Sequence, residues 1–281
     1  LYGSRGANGV ILITTKRGKK NSAPKFNIRS QVGVSDLAVG LHDRLGTEQN
    51  MKLTWEAIKN TNIGLGQNSA LASSNASSEL IDRLGYNPYG VANPIDASGQ
   101  LVAGEQLLWN TDWQKELTRR SMMRTNHSFD ISGGDDKTTY FMSVDYLKED
   151  GPVITSDFER ISTRLNVDSQ VNDWLKVGLN SSFSNSNSSN PDQTSGSTTQ
   201  AITWIYSLSS IYPLYKRDGN GALLLDSEGN QQYDFGNGSV VGQPVNNTRP
   251  TFGGENAVAD IFLGKERRKR TSYVGSLFAE A

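Results

Sequence analysis

The chain has 281 residues, a formal net charge of −1 at pH 7 and no cysteine. The balanced charge gives no field that would attract nucleic acid or an anionic membrane surface. The lack of cysteine excludes disulfides, thiolate metal sites and cysteine nucleophiles. Hydrophobic residues make up only 35% of the chain and 28 residues are glycine, which is more typical of an all-β protein with many turns than of a helical enzyme.

The chain begins with a glycine turn followed by a short apolar strand. Glycines at positions 3, 6 and 9 permit tight or left-handed backbone, and Val10 to Thr15 (VILITT) predicts a buried strand. A phosphate-binding loop is the alternative, but there the glycines link a strand to a helix and a Gly-Lys-Ser/Thr sequence follows. Asn21 to Pro24 predicts a linker after this strand.

Further along, apolar and polar residues alternate with a period of two, which indicates strands with one apolar and one polar face. Each run has about nine to eleven residues, the length of a tilted membrane-spanning strand. A soluble sandwich and a membrane barrel both explain this pattern. The predicted strands are 26–35, 126–132, 140–146, 161–168, 175–184 and 265–281.

Helices and turns are predicted between the strands. Helical patterns cover 47–59, with Thr47 as the N-cap, and 78–84, 111–119, with Thr111 as the N-cap, and 198–208. Residues 256–263 fit either a helix or a strand. Residues 185–199 predict a Ser/Asn-rich loop, and 222–225 a small hairpin.

The connections between predicted strands are strongly unequal in length. The turn between Asp130 and Tyr140 is short, whereas 36–124 and 184–267 are far longer than usual loops of a compact domain. Outer-membrane barrels have short turns on one side and long loops on the other. This asymmetry favours a barrel.

The opening sequence YGSRGANGVILITTK, Tyr2 to Lys16, resembles the end of the plug domain of TonB-dependent outer-membrane transporters. The sequence from Ser4 to Gly9, together with the later Arg17-Gly18-Lys19, is similar to the sequences of the SusC/RagA branch. Later segments occur in the family's order at the start of the barrel: 110–114 (NTDWQ), 127–134, 139–151 (TYFMSVDYLKEDG), 158–166 (FERISTRLN), 173–179 (DWLKVGL), 212–215 (YPLY) and 218–220 (DGN).

The resemblance implies an all-β fold with short helices in loops, forming part of a large antiparallel transmembrane barrel of about 22 strands. Residues 1–20 would be the C-terminal end of the plug and 21–281 the N-terminal portion of the barrel. We expect the chain to be a piece of a longer protein. The plug-end motif comprises Tyr2, Gly3, Ser4, Arg5, Gly6, Ala7, Asn8 and Gly9.

The function that the resemblance implies is TonB-dependent import of an oligosaccharide or a peptide across the bacterial outer membrane. The implied partners are the TonB–ExbB–ExbD complex, a SusD-like surface lipoprotein and outer-membrane lipid, with no cofactor, nucleic acid or enzymatic activity. The alternative from the alternation alone is a secreted, soluble β-sandwich that binds glycans or acts as an adhesin.

Few side chains suggest site chemistry. His42 and His127 are isolated, and the turn that starts at Asp218 lacks the ligand spacing of an EF-hand. The basic cluster 265–270 is short and interrupted by Glu266, so it predicts a strand end. Aromatic rings in the long connections could stack on sugars, although packing within ordered loops is the favoured interpretation. The candidate substrate contacts are Trp109, Trp113, Trp204, Tyr212 and Tyr215.

Overall fold

A computed structural model describes residues 15–191, 199–238, 248–264 and 266–281. The strands of these residues form one six-stranded antiparallel sheet, in which each strand pairs with its neighbours in the chain. The strands are 13 to 16 residues long, longer than their apolar cores alone predict. They are β1 (Ser22–Ser35), β2 (Met122–Gly134), β3 (Thr138–Asp150), β4 (Asp157–Asn172), β5 (Leu175–Ser189) and β6 (Arg267–Glu280). The six strands predicted after residue 25 are confirmed, and the strand predicted at Val10 to Thr15 lies outside the described residues except for Thr15. Strands β1 and β5 also include 22–24 and 185–189, so predicting a linker and a loop there was wrong.

The pairing register places the alternating residues on two different faces. Ile28 pairs with Phe129 and Phe129 with Val144, so these side chains share the apolar face. Other members of the apolar face are Phe26, Ile131, Met142, Leu165, Val167, Val177, Leu179 and Leu277. The polar face carries Asn27, Arg29, Ser128, Asp130, Ser143, Asp145, Arg160, Ser162, Arg164, Ser182, Ser184, Ser186 and Arg270.

The apolar face is not covered by a second sheet of described residues. Ile28 is 80% exposed and Leu277 is 82% exposed. A β-sandwich buries the inner face of each sheet against the other. The closed sandwich core of the alternative prediction is therefore missing from the described residues, and the open wall fits part of a barrel.

Two longer helices and three short ones lie in the long connections, at one end of the sheet. They are α1 (Thr47–Gly64), α2 (Ser69–Leu84), α3 (Trp113–Leu117), α4 (Ala201–Ser207) and α5 (Ala257–Leu263). The ambiguous stretch 256–263 is thus a helix. Among the described residues, no helix is both long enough and apolar enough to cross a membrane.

The starts of α1, α2 and α3 differ from the sequence prediction. Helix α1 has Gly46 as its N-cap and Thr47 as its first residue, so predicting Thr47 as the cap was wrong by one residue. Helix α2 begins nine residues earlier than expected, because the side chain of Asn68 caps it by accepting a hydrogen bond from the Leu71 amide at 2.9 Å. The N-cap of α3 is Asp112 rather than Thr111, since the Asp112 carboxylate accepts from the Lys115 amide at 3.1 Å. Predicting Thr111 as the cap was wrong by one residue.

The main hydrophobic core lies among the long connections and not against the sheet. We call the described residues of 36–121 and 190–266 the loop module. Helices α1, α2, α3, α4 and α5 all contribute to its core, so the two connections fold as one body. Fully buried members include Met51, Leu80, Ile95, Leu117, Trp204, Ile205 and Ile211. The hairpin expected near 222–225 is present as isolated bridges, such as Arg217 with Leu223.

Candidate functional site

The described residues that precede β1 lie on the polar face of the sheet. We call residues 15–21 the docked segment. Arg17 Nη1 lies 2.8 Å from Asp168 Oδ2, and Asn166 Nδ2 donates a hydrogen bond to the Lys16 carbonyl oxygen at 2.8 Å. Asp168 and Asn166 both lie on β4, and Asn166 is buried. Strand β4 thus holds the segment by one ion pair and one hydrogen bond to its backbone.

Backbone geometry determines where the docked segment turns into β1. A Cβ atom at Gly18 would overlap the Gly133 carbonyl oxygen and lie 2.7 Å from the Tyr140 amide nitrogen, so only glycine permits this approach. Asn21 has a φ of 49°, in the left-handed region that asparagine tolerates, and its amide donates to the Asp135 carbonyl at 3.0 Å. These contacts fix the segment against the β2–β3 turn.

The two long connections interlock at the other end of the sheet through indole hydrogen bonds. Trp109 Nε1 donates to the Ile211 carbonyl at 2.6 Å, and Trp113 Nε1 donates to the Ser209 carbonyl at 3.1 Å. The Thr111 amide donates to the Ser210 carbonyl at 3.1 Å. Three polar groups of the first connection therefore hold one short stretch of the second.

A buried ionic network lies inside the loop module. Asp234 and Arg249 have side chains that are 3% and 0% exposed, with Arg249 Nη1 at 3.8 Å from Asp234 Oδ1. The Tyr86 hydroxyl and the Gly236 amide each donate to the Asp234 carboxylate at 2.7 Å. Burial raises the pKa of Tyr86, and the neighbouring Asp234 raises it further. Because breaking such a pair leaves an uncompensated buried charge, the network favours one arrangement of the loops.

Sequence reasoning missed Asp234 and Arg249. The three members of the network, Tyr86, Asp234 and Arg249, are far apart in the chain, and nothing in the local sequence distinguishes them from surface residues. Arg249 also stacks over the Trp204 ring at 5.3 Å and donates to the Glu255 carbonyl.

A cavity of about 290 Å³ opens between the two connections. The first connection lines it with charged and amide side chains, and the second lines it with Ile205, Leu208 and Ser210. The charged and amide residues include Asp43, Arg44, Asn110, Asp112 and Arg120. Arg44 Nη2 is already engaged, because it donates to the Leu208 carbonyl at 2.9 Å. The cavity therefore belongs to the joint between the connections.

Comparisons with known proteins agree on one family. No protein-family model matches the chain. The chain is 33% identical over 181 residues to TonB-dependent receptor P3 of Formosa agariphila, covering 64% of this chain and 13% of that protein. It is 28% identical over 186 residues to TonB-dependent receptor SusC of Bacteroides thetaiotaomicron, covering 66% of this chain and 14% of SusC.

The chain resembles the SusC/RagA family of TonB-dependent receptors in sequence and in fold.

The fold agrees with this family. The RagAB peptide importer in its closed-closed state superposes with a TM-score of 0.56 at 21% identity, over 99% of this chain and 28% of that chain. The sheet is accordingly part of an antiparallel outer-membrane barrel wall, as predicted. The chain spans only 13 to 14% of the length of the two curated relatives.

The predicted site residues of the chain fall into two groups. The plug-end motif, Tyr2 to Gly9, lies outside the described residues. Four of the five candidate aromatics are buried, and Tyr215 is half-buried against Tyr233 at 5.1 Å between ring centroids. The four buried rings are Trp109, Trp113, Trp204 and Tyr212. Their substrate contact stays a prediction, and in this structure they pack in the loop module.

The turn at Asp218 is a structural turn. Its carboxylate accepts from the amides of Asn220 and Ala222 at 2.9 and 2.8 Å, as expected when an aspartate closes a loop on its own backbone. Asp226 does the same with Glu228 and Asn230. Within the described ranges, no group of three or more His, Cys, Asp or Glu side chains is placed to hold a metal ion.

Proposed function

We propose that this chain is a section of a TonB-dependent importer that takes up an oligosaccharide or a peptide through the outer membrane. The observation that carries the proposal is the docked segment on the polar face, opposite an uncovered apolar face. In a plugged barrel the plug fills the interior while the outside contacts lipid. The polar face is then the lumen wall, and the apolar face contacts the membrane.

The proposal divides the chain at the docked segment. Residues 1–20 form the end of the plug and residues 21–281 the beginning of the barrel wall. Residues 16–24 act as the tether between them. The contacts of Arg17 and of the Lys16 carbonyl with β4 hold this tether against the wall. When TonB pulls the upstream plug from the periplasm, the tether keeps the displaced plug attached to the wall.

The partners follow from the same architecture. The TonB–ExbB–ExbD complex supplies energy through a segment upstream of these residues, and a SusD-like lipoprotein covers the extracellular mouth, where the loop module presents a preformed surface. SusC and the RagAB peptide importer are the relatives that support this assignment. The protein works as a transporter and not as an enzyme.

The test uses the full-length protein in its native bacterium. Deleting the gene should abolish uptake of one labelled oligosaccharide or peptide class, and deleting the tonB gene should abolish the same uptake. The protein should fractionate with the outer membrane. Recovery in the soluble fraction, or uptake that continues without TonB, would contradict the proposal.

A further inference from the structure

The arginines of the polar face are concentrated on β4 and β6. Arg160 and Arg164 lie on β4, and Arg268 and Arg270 on β6. The register places them on both sides of β5, since Arg160 pairs with Ser186 and Ser186 pairs with Arg270. We call these four residues the arginine strip.

Most carboxylates of the polar face lie away from the arginine strip. On the polar face of β4 to β6 the acidic residues are Asp168 and Glu280, near the short-turn end, and each is paired with a cation: Asp168 with Arg17, and Glu280 with Lys176. Asp145 is the exception, because it lies on β3 opposite Ser162, between Arg160 and Arg164. The four arginines outnumber this carboxylate, so the strip carries excess positive charge in a chain whose net charge is −1.

The arginines of the strip are mostly free to bind a ligand. No ion pair within the described ranges involves Arg160, Arg164 or Arg270, and all three are exposed. Arg268 approaches Glu266 at 3.5 Å, but both side chains are largely exposed, at 82% and 66%. Exposed pairs of this kind contribute little and exchange readily.

Strand β5 places a row of hydroxyls between the arginines. Ser182, Ser184, Ser186 and Ser188 all point to the polar face, because they alternate with residues of the apolar face. Across the sheet, Ser184 pairs with both Ser162 and Ser272. A hydroxyl both donates and accepts hydrogen bonds, as the hydroxyls of a sugar do.

We propose that the arginine strip and its serines form a binding track for an anionic oligosaccharide, one that carries carboxylate or sulfate groups. The inference rests on the proposed function, since it takes the polar face to be the lumen wall. Guanidinium groups bind carboxylates and related oxyanions through two parallel hydrogen bonds. The serines match the hydroxyls between charged sugar units.

An acidic peptide is the competing ligand. It would satisfy the arginines equally well, but an extended peptide gains specificity from pockets for alternate side chains. Beside the row of four serines this face has few apolar side chains, with Phe158 opposite Ser188 and Val274 opposite Ser182. The chemistry of the row therefore favours a sugar chain over a peptide.

The test measures binding to the purified full-length protein in detergent. The probes are an oligogalacturonate, a sulfated galactan oligosaccharide, a neutral malto-oligosaccharide of equal length and an oligoglutamate peptide. The variant Arg160→Gln/Arg270→Gln removes two charges beside Ser186. The matched control Lys25→Gln/Arg29→Gln removes two charges from the same face of β1, where both side chains are exposed.

We expect at least one acidic oligosaccharide to bind, with an affinity that falls on the order of tenfold or more in the β4/β6 variant. The control should change it less than twofold. Added salt should weaken the binding, because exposed charges are screened. The variant Arg160→Lys/Arg270→Lys should recover part of the affinity, which shows that charge and not misfolding caused the loss.

Three results would overturn the inference. They are failure of both acidic sugars to bind, equal loss in the β1 control, and tighter arginine-dependent binding of oligoglutamate than of either acidic sugar. Uptake in cells separates this inference from the proposed function. Arginine-dependent binding without any TonB-dependent uptake would contradict the import function but not the binding track. TonB-dependent uptake with binding that does not depend on the arginines would contradict the binding track but not the import function.

Discussion

Gly18 is the residue at which the docked segment comes closest to the barrel wall. Its neighbours are backbone atoms of Gly133 and Tyr140, which cannot rotate away as a side chain can. The substitution Gly18→Ala should therefore lift the segment from β4 and weaken the contacts of Lys16 and Arg17. Since the segment contains Lys16, Arg17, Lys19 and Lys20, trypsin should cut the full-length variant there several-fold faster.

The control for this prediction is Gly40→Ala. No atom lies within 4 Å of a Cβ at Gly40, and its φ is not positive, so the added methyl group meets open space. Cleavage of the docked segment in this control should match the wild-type rate. Equal cleavage of both variants would show that Gly18 does not set the position of the segment.

The buried Tyr212 should make the stability of the loop module depend on pH in the alkaline range. Burial raises the pKa of Tyr212 to about 12, although the nearby Arg249 opposes the increase. A folded-state pKa above the unfolded value of about 10 means that the folded form binds the proton more tightly. The stability that this proton contributes is complete below pH 10 and is lost as the pH rises from 10 to 12.

The variant Tyr212→Phe removes this titration. An increase of the pKa from 10 to about 12 corresponds to roughly 3 kcal/mol of stability that is present below pH 10 and lost at high pH. We expect thermal unfolding of the loop module to lose less stability between pH 10 and 12 in the variant than in the wild type. A residual decrease should remain, because the pKa of Tyr86 is also raised. An equal loss of stability between pH 10 and 12 in the variant and the wild type would contradict the assignment of this pH dependence to Tyr212.

Helix α2 shows, at the scale of elements, how much local sequence reveals. Its polar composition hides the buried positions Ala72, Ala76 and Leu80, which follow one another at intervals of four residues. Small residues carry little hydrophobic signal, so the helix was predicted only from 78 to 84. Strands such as β3 were located correctly but predicted too short, because large apolar residues alternate regularly only along their middle.

Trp204 on α4 joins the elements of the loop module. Its ring contacts Trp113 at 5.6 Å and Phe252 at 5.0 Å, and it is 0% exposed. Trp204→Ala should destabilise the module by about 3–5 kcal/mol, because it leaves a large cavity. The measurement is protease resistance of the loops in the full-length protein.

Trp174 supplies the matched control for Trp204. It lies in the β4–β5 turn and is 65% exposed, so Trp174→Ala should leave the protease resistance of the loops unchanged. A loss of resistance as large as that of Trp204→Ala would mean that the loops depend on the opposite end of the sheet.

At the scale of the whole molecule, the two faces of the sheet should differ in their tolerance of charge. Leu179→Arg places a cation on the apolar face between Val167 and Leu277. If this face contacts lipid, the substitution should cost about 2–4 kcal/mol near the bilayer midplane. Ser184→Arg on the polar face of the same strand should fold normally. Urea unfolding of the full-length protein in lipid vesicles measures the free energy of unfolding of both variants. An equal loss of stability in the two would contradict the assignment of the apolar face to lipid and the polar face to the lumen.

The sequence by itself determined the strands, their two faces, the one-sided long connections and the resemblance to a family, because period-two alternation and the motifs can be recognised in the chain without its contacts. It did not determine the ion pair of Arg17 with Asp168, the Asp234–Arg249 network or the arginine strip. These residues are brought together by strand register and by packing between distant connections. Only the tertiary structure decided them, since no local pattern encodes a contact between residues so far apart in sequence.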